Sequence, residues 1–281
     1  MSTHKAFYDR ILPMSYLANR KSFPDRVTSY DVLKAVAVLL MIVDHVGFYF
    51  FPEHHVLRLI GRMCVPMWFF LVGYASSRDL SPTLWIGGLI LVLANGVIGV
   101  ALLPLNILFS IIFVRLVLDR TMQAMFKSRY DCFMGAVALA MFYFPLSYIF
   151  EYSTAGIALA MVGYLARRKQ ELNFGTEKTT MWLCAISLFF FATQSISGFN
   201  FSDLQYGILL VGTTSIIWFL YLKFKPYTFA SRSPVISFLG RYTLEIYVVH
   251  LVMFKFILAF SGDFEQLQWF NFYLFPGDHG L

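Results

Sequence analysis

The stretch YDVLKAVAVLLMIVDHVGFYFF, residues 30–51, decides the fold. It is apolar and aromatic over most of its length, and a helix of this length crosses the roughly 30 Å hydrocarbon core of a bilayer at about 1.5 Å per residue. The stretch therefore predicts a membrane-spanning helix. Ionisable side chains inside such a helix are energetically expensive, which makes each of them a candidate for function. Those of this stretch are Asp31, Lys34, Asp44 and His45.

The composition extends this interpretation to the whole chain. Of the 281 residues, 58% are hydrophobic and 14% are charged, whereas a soluble domain usually carries about 25% charged residues. There is too little polar surface to cover a water-soluble globule. Because lipid offers no hydrogen bonds to the backbone, the chain must form helices or a closed barrel. Long continuous apolar runs, without the alternation typical of barrel strands, predict an all-α, polytopic membrane helix bundle.

We expect about nine transmembrane helices, within a range of about eight to ten. Residues 1–29 then form an N-terminal segment in the cytosol, 30–260 a transmembrane domain, and 261–281 an aromatic-rich C-terminal tail at the interface. The predicted spans are 30–51, 59–77, 83–101, 104–118, 132–150, 153–166, 180–197, 204–222 and 235–260.

The basic residues predict the orientation. Sixteen of them lie in the N-terminal segment and the even-numbered connections, whereas the opposite connections carry Arg58 alone. Since cytosolic loops hold the excess of Lys and Arg, the N-terminus is predicted to be cytosolic. The net charge of +6 is then a topology signal rather than a sign of nucleic-acid binding, although some of these residues are placed to meet anionic lipid or a cytosolic phosphate ligand.

A helical wheel places three ionisable residues of the first span on one face. Lys34 and His45 are eleven residues apart, which leaves them about 20° from eclipsed, and Asp31 lies about 40° from His45. Along the axis Lys34 and His45 are separated by about 16 Å. One face therefore offers a cation towards the cytosol and a titratable base in the outer half. As an alternative to a role in function, Lys34 extends its ammonium group to the cytosolic interface of the membrane.

Two arginines lie near the outer end of the second span. Arg58 and Arg62 are four residues apart and share a helix face, and Arg62 is expected at the depth of His45. Asp44 points about 100° away from His45 and is a plausible partner of Arg62, which leaves a purely structural ion pair open as an alternative. Gly61 allows the two backbones to approach closely.

The last span and one outer connection add further candidates. Arg241 and Glu245 form an i, i+4 pair, and His250 is predicted at the same depth as His45. A histidine in a span is also often a hydrogen-bond partner between helices without any role in chemistry. Glu151 lies in an outer connection, where it is either a loop charge or a contact to an acceptor.

These residues resemble a known group. Lys34 and His45, separated by ten residues, resemble the Arg-x10-His signature of the membrane acyltransferase-3 superfamily, with Lys in place of Arg. The TraX-like branch is more similar. The segments that carry the resemblance are Asp44–Gly47, Arg58–Pro66, Phe69–Tyr74, Glu151–Gly156 and Phe238–His250. The tenth span that is usual in the superfamily is missing here or degenerate.

The resemblance implies acyl transfer from cytosolic acetyl-CoA to an amine or hydroxyl at the outer side of a bacterial inner membrane. TraX proteins are associated with N-terminal acetylation of pilin, and their relatives O-acetylate surface sugars, so the acceptor is a protein N-terminus, a glycan or a lipid headgroup of the cell envelope. We expect no metal. The expected catalytic residues are His45, Asp44 and Arg62, those for the donor are Lys34, Arg241 and Asp31, and those for the acceptor are Arg58, His250 and Glu151.

Two other classes of protein remain open from the sequence. A secondary transporter or proton-coupled permease also needs buried ionisable groups, but it is typically built from internal repeats, and no clear repeat is visible. A non-catalytic envelope assembly protein would not require Lys34 and His45 on one face. Substrate uptake without any need for acyl-CoA would favour the transporter, and full activity after His45→Ala would favour the assembly protein.

Overall fold

The computed structural model describes residues 26–172, 175–261 and 274–275. The predicted N-terminal segment 1–29 and the predicted interfacial tail 261–281 thus lie almost entirely outside the described residues. Within them the chain folds into thirteen helices, and β pairing is limited to two isolated β-bridges. The all-α prediction is confirmed for this part of the chain.

The helices follow one another with short connections. Their bounds are α1 Ser29–Phe50, α2 His55–Arg62, α3 Cys64–Tyr74, α4 Pro82–Val97, α5 Ile107–Met125, α6 Arg129–Met141, α7 Tyr143–Ser147, α8 Ser153–Arg167, α9 Lys169–Leu172, α10 Thr176–Ile196, α11 Asp203–Lys223, α12 Pro234–Arg241 and α13 Thr243–Ser261.

Each predicted span coincides with one helix or with two consecutive helices. Five helical stretches in the described residues are long and apolar enough to cross a membrane, namely α1, α2 with α3, α10, α11 and α13. The apolar α4 has 16 residues, and α5 carries Arg115, Asp119 and Arg120 among its 19 residues. Several candidate spans in one chain indicate a multi-pass membrane protein. The count of nine crossings and the cytosolic N-terminus stay predictions.

Helix α8 is the centre of the bundle. Every residue from Ser153 to Leu165 is buried, and the helix packs most extensively on α3. The two backbones touch where glycine removes the side chain, because a Cβ on Gly73 would overlap the carbonyl oxygen of Ala160. Small residues at a helix crossing give close van der Waals packing, which drives helix association in lipid.

The second predicted span is interrupted at Met63, where α2 ends and α3 begins. Pro66 lies in the first turn of α3, and it has no N–H to donate to the carbonyl of Arg62. A break is therefore expected on the N-terminal side of this proline. It separates α2, which carries the two arginines, from α3, which packs on α8.

Candidate functional site

Two histidines from opposite ends of the chain meet inside the bundle. His45 lies near the C-terminal end of α1 and is half-buried, and His250 lies in α13 and is 7% exposed. His45 Nδ1 is 2.8 Å from His250 Nε2, and the two rings are stacked with centroids 5.0 Å apart. The structure thus brings together the two histidines that were expected at equal depth.

The surroundings of His250 assign the protons of this pair. His250 Nδ1 is 2.6 Å from the carbonyl oxygen of Ile246, and a carbonyl only accepts, so Nδ1 must donate. In a neutral His250 the other nitrogen, Nε2, is then an acceptor. His45 Nδ1 must donate to it, and the lone pair of neutral His45 is left on Nε2. This tautomer, inferred from the hydrogen bonds, is that of a general base.

Asp44, next to His45, is held by both arginines of α2. Arg58 Nη1 lies 2.7 Å from Asp44 Oδ2, and Arg62 Nη2 lies 3.4 Å from the same oxygen. The three side chains are at most 12% exposed. Gly61 makes the contact possible, since a Cβ there would overlap the Cβ and backbone of Asp44. The carboxylate expected to assist catalysis is therefore committed to an ion-pair network, and within the described residues no hydrogen bond joins it to His45.

Two further contacts hold the guanidinium group of Arg62 in place. Its Nη1 donates to the hydroxyl of Tyr152 at 2.9 Å, and its guanidinium lies 4.5 Å from the ring centre of Phe199. A cation over an aromatic face is attracted by the ring quadrupole. Because protein groups hold its guanidinium in place, Arg62 is a preorganised positive charge.

A cavity of about 180 Å³ adjoins this charge. Arg62, Tyr152 and Glu151 line it together with Thr193 and Gln194. Glu151 is exposed, whereas Gln194 is 5% exposed and its Oε1 has no hydrogen-bond partner among the described residues. The lining thus contains a cation, a carboxylate and neutral hydrogen-bonding groups. Such a set can receive a small polar group that carries both a donor and an acceptor.

The residues expected to bind the donor lie at the other end of α1. Asp31 caps this helix, because its Oδ2 accepts from the backbone N–H and the hydroxyl of Thr28 at 2.9 and 2.8 Å. Arg241 Nε approaches Asp31 Oδ1 to 4.0 Å. Lys34 is half-buried, and no hydrogen bond or ion pair of its ammonium group is found within the described residues. Lys34 is thus the member of the three that is least engaged by the protein.

Sequence reasoning missed two polar residues near the site. Lys255 in α13 is 7% exposed and donates to the side-chain oxygen of Asn95 in α4. Tyr152 meets Arg62, as described above. Lys255 carried a usable signal, because a charge inside the last apolar run is expensive, whereas the pairing with Asn95 depends on which helices are neighbours. No group of three potential metal ligands occurs among residues 26–172 and 175–261.

The fold defines a helical, multi-pass membrane protein. Its interior holds a polar cluster, which consists of Asp44, His45, Arg58, Arg62 and His250. The family described as TraX protein matches residues 29–258, which covers most of the chain and every residue of the cluster. The chain belongs to the TraX family.

A relative of similar length supports the extent of the match. The uncharacterized protein RP591 of Rickettsia prowazekii (strain Madrid E) is 26% identical over 254 residues, which cover 86% of this chain and 97% of that protein. Among solved structures, none matches the chain.

Proposed function

We propose that this protein is an integral membrane acyltransferase that moves an acetyl or other acyl group from cytosolic acyl-CoA to an amine or hydroxyl at the predicted outer side of the membrane. The hydrogen bond between His45 and His250 carries the proposal, because its tautomer leaves His45 Nε2 free to accept a proton. The family's association with pilin acetylation, and the resemblance to the acyltransferase-3 superfamily, support the same reaction class.

The reaction balances without any additional reactant. His45 Nε2 takes the proton of the acceptor N–H or O–H while the nitrogen or oxygen attacks the thioester carbonyl carbon. The new bond to the acyl carbon forms, the carbon–sulfur bond breaks, and the His45 imidazolium returns its proton to the departing thiolate. His250 is a positioning residue, since it accepts from His45 Nδ1 and stabilises the imidazolium that forms on the way.

The arrangement also offers electrostatic stabilisation. Arg62 is held in place by Asp44 and Tyr152, so it would need little reorganisation when negative charge develops on the carbonyl oxygen. The cavity beside it, with Glu151 in its wall, is the proposed place of the acceptor group. In this assignment Asp44 positions Arg58 and Arg62 and takes no part in proton transfer.

The test measures donor binding and turnover separately on purified full-length protein. With labelled acetyl-CoA and cell-envelope material as acceptor, His45→Gln should reduce turnover about 10²–10⁴-fold, the contribution of a positioned general base, and leave donor affinity unchanged. His54→Gln is the matched control, because His54 is exposed in the connection after α1 and caps α2 without a side-chain hydrogen bond. Turnover by His45→Gln at the rate of the wild type would refute the proposal.

Lys34 is assigned to the donor. Along α1 it lies about 16 Å from His45, which is too far for direct proton transfer. Within the described residues its ammonium group makes no hydrogen bond or ion pair. Lys34→Ala should raise the KM for acetyl-CoA with little change in kcat, and Lys34→Arg should restore it. An unchanged KM in Lys34→Ala would remove Lys34 from the donor site.

A further inference from the structure

A second and larger cavity lies at the opposite end of the bundle from the histidine pair. Its volume is about 550 Å³. The walls are formed by the first turn of α1, by the C-terminal ends of α3 and α8, and by the connections that follow α3 and α8. Its wall includes three tyrosines and two consecutive arginines, namely Tyr30, Tyr74, Tyr164, Arg167 and Arg168.

Two arginines of this cavity are held in place with donors to spare. Arg167 Nη1 donates to the carbonyl of Tyr74 at 2.9 Å, and no other hydrogen bond or ion pair of Arg167 is seen in the described part of the chain. Arg168 Nη1 donates to the hydroxyl of Tyr164, and its guanidinium lies 4.4 Å from the centre of that ring. Each guanidinium has five N–H donors, so most of them stay available to a ligand.

The carboxylates in the cavity do not neutralise these two arginines. Glu171 comes within 3.8 Å of Arg168, but the two side chains are 75% and 45% exposed, and an exposed pair of this kind contributes little. Asp119 pairs instead with Arg78 at 3.2 Å. Arg78 also donates to the carbonyls of Val72, Gly73 and Ala75. Its role is to close the C-terminal end of α3, which leaves Arg167 and Arg168 as the accessible cations.

We propose that this cavity binds the phosphate-bearing, ring-containing end of a nucleotide, with Arg167 and Arg168 on the phosphates and the half-buried ring of Tyr30 beside the base. Guanidinium groups match phosphate geometry with two parallel N–H bonds, and aromatic rings offer a stacking surface to any base. The proposal rests on the proposed function, in which this nucleotide is the CoA portion of the acyl donor.

The position of the cavity agrees with this assignment. Tyr30 in its wall and His45 lie on the same helix, fifteen residues or about 22 Å apart. Lys34 is one turn from Tyr30 towards His45 and is the next cation that a ligand extending along α1 would reach. The long pantetheine arm of CoA would then bring the thioester towards the histidine pair, while the phosphates stay at the end of the bundle that the basic residues predict to be cytosolic.

An anionic lipid headgroup offers the same phosphate chemistry without a base, and the experiment separates the two sources. Full-length protein in nanodiscs of zwitterionic phosphatidylcholine is titrated with CoA and with adenosine 3′,5′-bisphosphate. We expect both ligands to bind, and Arg167→Gln and Arg168→Gln each to weaken binding about 10-fold, as expected for the loss of a charge-assisted hydrogen bond. Adding salt should weaken binding by the wild type.

Lys169→Gln is the matched control, because it removes the same charge one residue further on. Lys169 Nζ lies over the ring of Tyr221, 4.9 Å from its centre, and Lys169 is absent from the cavity wall. Its affinity for the nucleotide should equal that of the wild type. If Arg167→Gln fails to fold, because the bond to Tyr74 is lost, Arg168→Gln still decides. Arg167→Lys keeps the charge without the planar fork and should weaken binding less than Arg168→Gln does.

Three results would overturn the inference. The first is wild-type nucleotide affinity in folded Arg168→Gln and Arg167→Gln. The second is an equal loss of affinity in Lys169→Gln. The third is wild-type protein in phosphatidylcholine nanodiscs that binds added short-chain phosphatidylglycerol but no nucleotide. The proposed function fails in a different way. Turnover of S-acetylpantetheine, which lacks the nucleotide, should be unaffected in the arginine variants. If the wild-type protein binds the nucleotide but turns over neither acetyl-CoA nor S-acetylpantetheine, the proposed acyltransferase activity is refuted and the nucleotide site still stands.

Discussion

His250 fixes the tautomer of His45 across a separation of 205 residues in the chain. The carbonyl of Ile246, one helical turn before His250, sets the proton of His250 on Nδ1 and thereby directs the proton of His45 to its own Nδ1. A backbone carbonyl cannot change its role as an acceptor. The base nitrogen of His45 is thus determined by the main chain of α13, with His250 as the connection between them.

The first prediction concerns this connection. His250→Leu removes the acceptor for His45 Nδ1, so kcat should fall by about 10-fold or more, the worth of one hydrogen bond to a group that becomes charged. His250→Gln can place its side-chain oxygen where Nε2 was and should recover part of the loss. Steady-state kinetics with labelled acetyl-CoA measure both variants, and KM for the donor should stay constant.

Comparison of the two variants separates this role from simple packing. Both leucine and glutamine fill space at position 250, but only glutamine offers an acceptor to His45 Nδ1. If both variants lose activity equally, His250 only fills space between α1 and α13.

The second prediction concerns the stability of the Asp44 network. Asp44→Asn leaves Arg58 and Arg62 close together without their shared carboxylate in a buried position. Removal of one partner from a buried ion pair typically costs about 3–5 kcal/mol, so Asp44→Asn should lower the unfolding temperature markedly. Thermal unfolding in detergent measures the change. Asp44→Asn combined with Arg58→Gln should recover part of the loss, and a single variant as stable as the wild type would show that the network is not structural.

The third prediction tests the contact between α1 and α2. Gly61→Ala places a methyl group into Asp44, so the helices must separate and the ion pairs must lengthen. Overpacking of this kind costs about 1–3 kcal/mol. Gly207→Ala is the matched control, because Gly207 lies in the spanning helix α11 with nothing within 4 Å of an added Cβ. Unfolding temperatures should fall for Gly61→Ala alone, and an equal response of both variants would argue against a specific contact.

The relative level of residues along neighbouring helices could be predicted from the sequence, because it follows from the rise per residue and the ends of the apolar runs. This is why His45 and His250 were expected at one level, and why Arg62 was expected near Asp44. Neighbouring helices connected by a short turn, such as α1 and α2, leave few possible arrangements.

Other features depend on contacts between segments distant in the chain, and no periodicity encodes them. Arg62 meets Tyr152 ninety residues later, and Lys255 reaches Asn95 in α4. The wall formed by Tyr30, Tyr74 and Arg167 likewise needs three helix ends to converge. Lipid adds to the difficulty, because nearly every span is apolar on all sides and hydrophobicity alone does not reveal which face turns inward.

The fourth prediction concerns orientation, on which transfer across the membrane depends. Reporter fusions after Arg78, Lys127, Lys169 and Arg232 should give a cytosolic signal, because these connections hold nearly all the loop Lys and Arg. Fusions near His54, Glu151 and Asp203 should give an external signal.

The fusions near His54 and after Lys169 are decisive. The fusion near His54 lies next to the histidine end of α1, and the fusion after Lys169 lies next to the proposed nucleotide cavity. If the donor enters at Arg167 and the acceptor at Glu151, the two fusions must report opposite sides of the membrane. A cytosolic signal at both would place the two cavities on one side and refute transmembrane transfer, although His45 would remain a competent base for an acceptor inside the cell. A matched pair of fusions in Arg58→Gln protein is the control, because loss of the single outer basic residue should leave both signals unchanged.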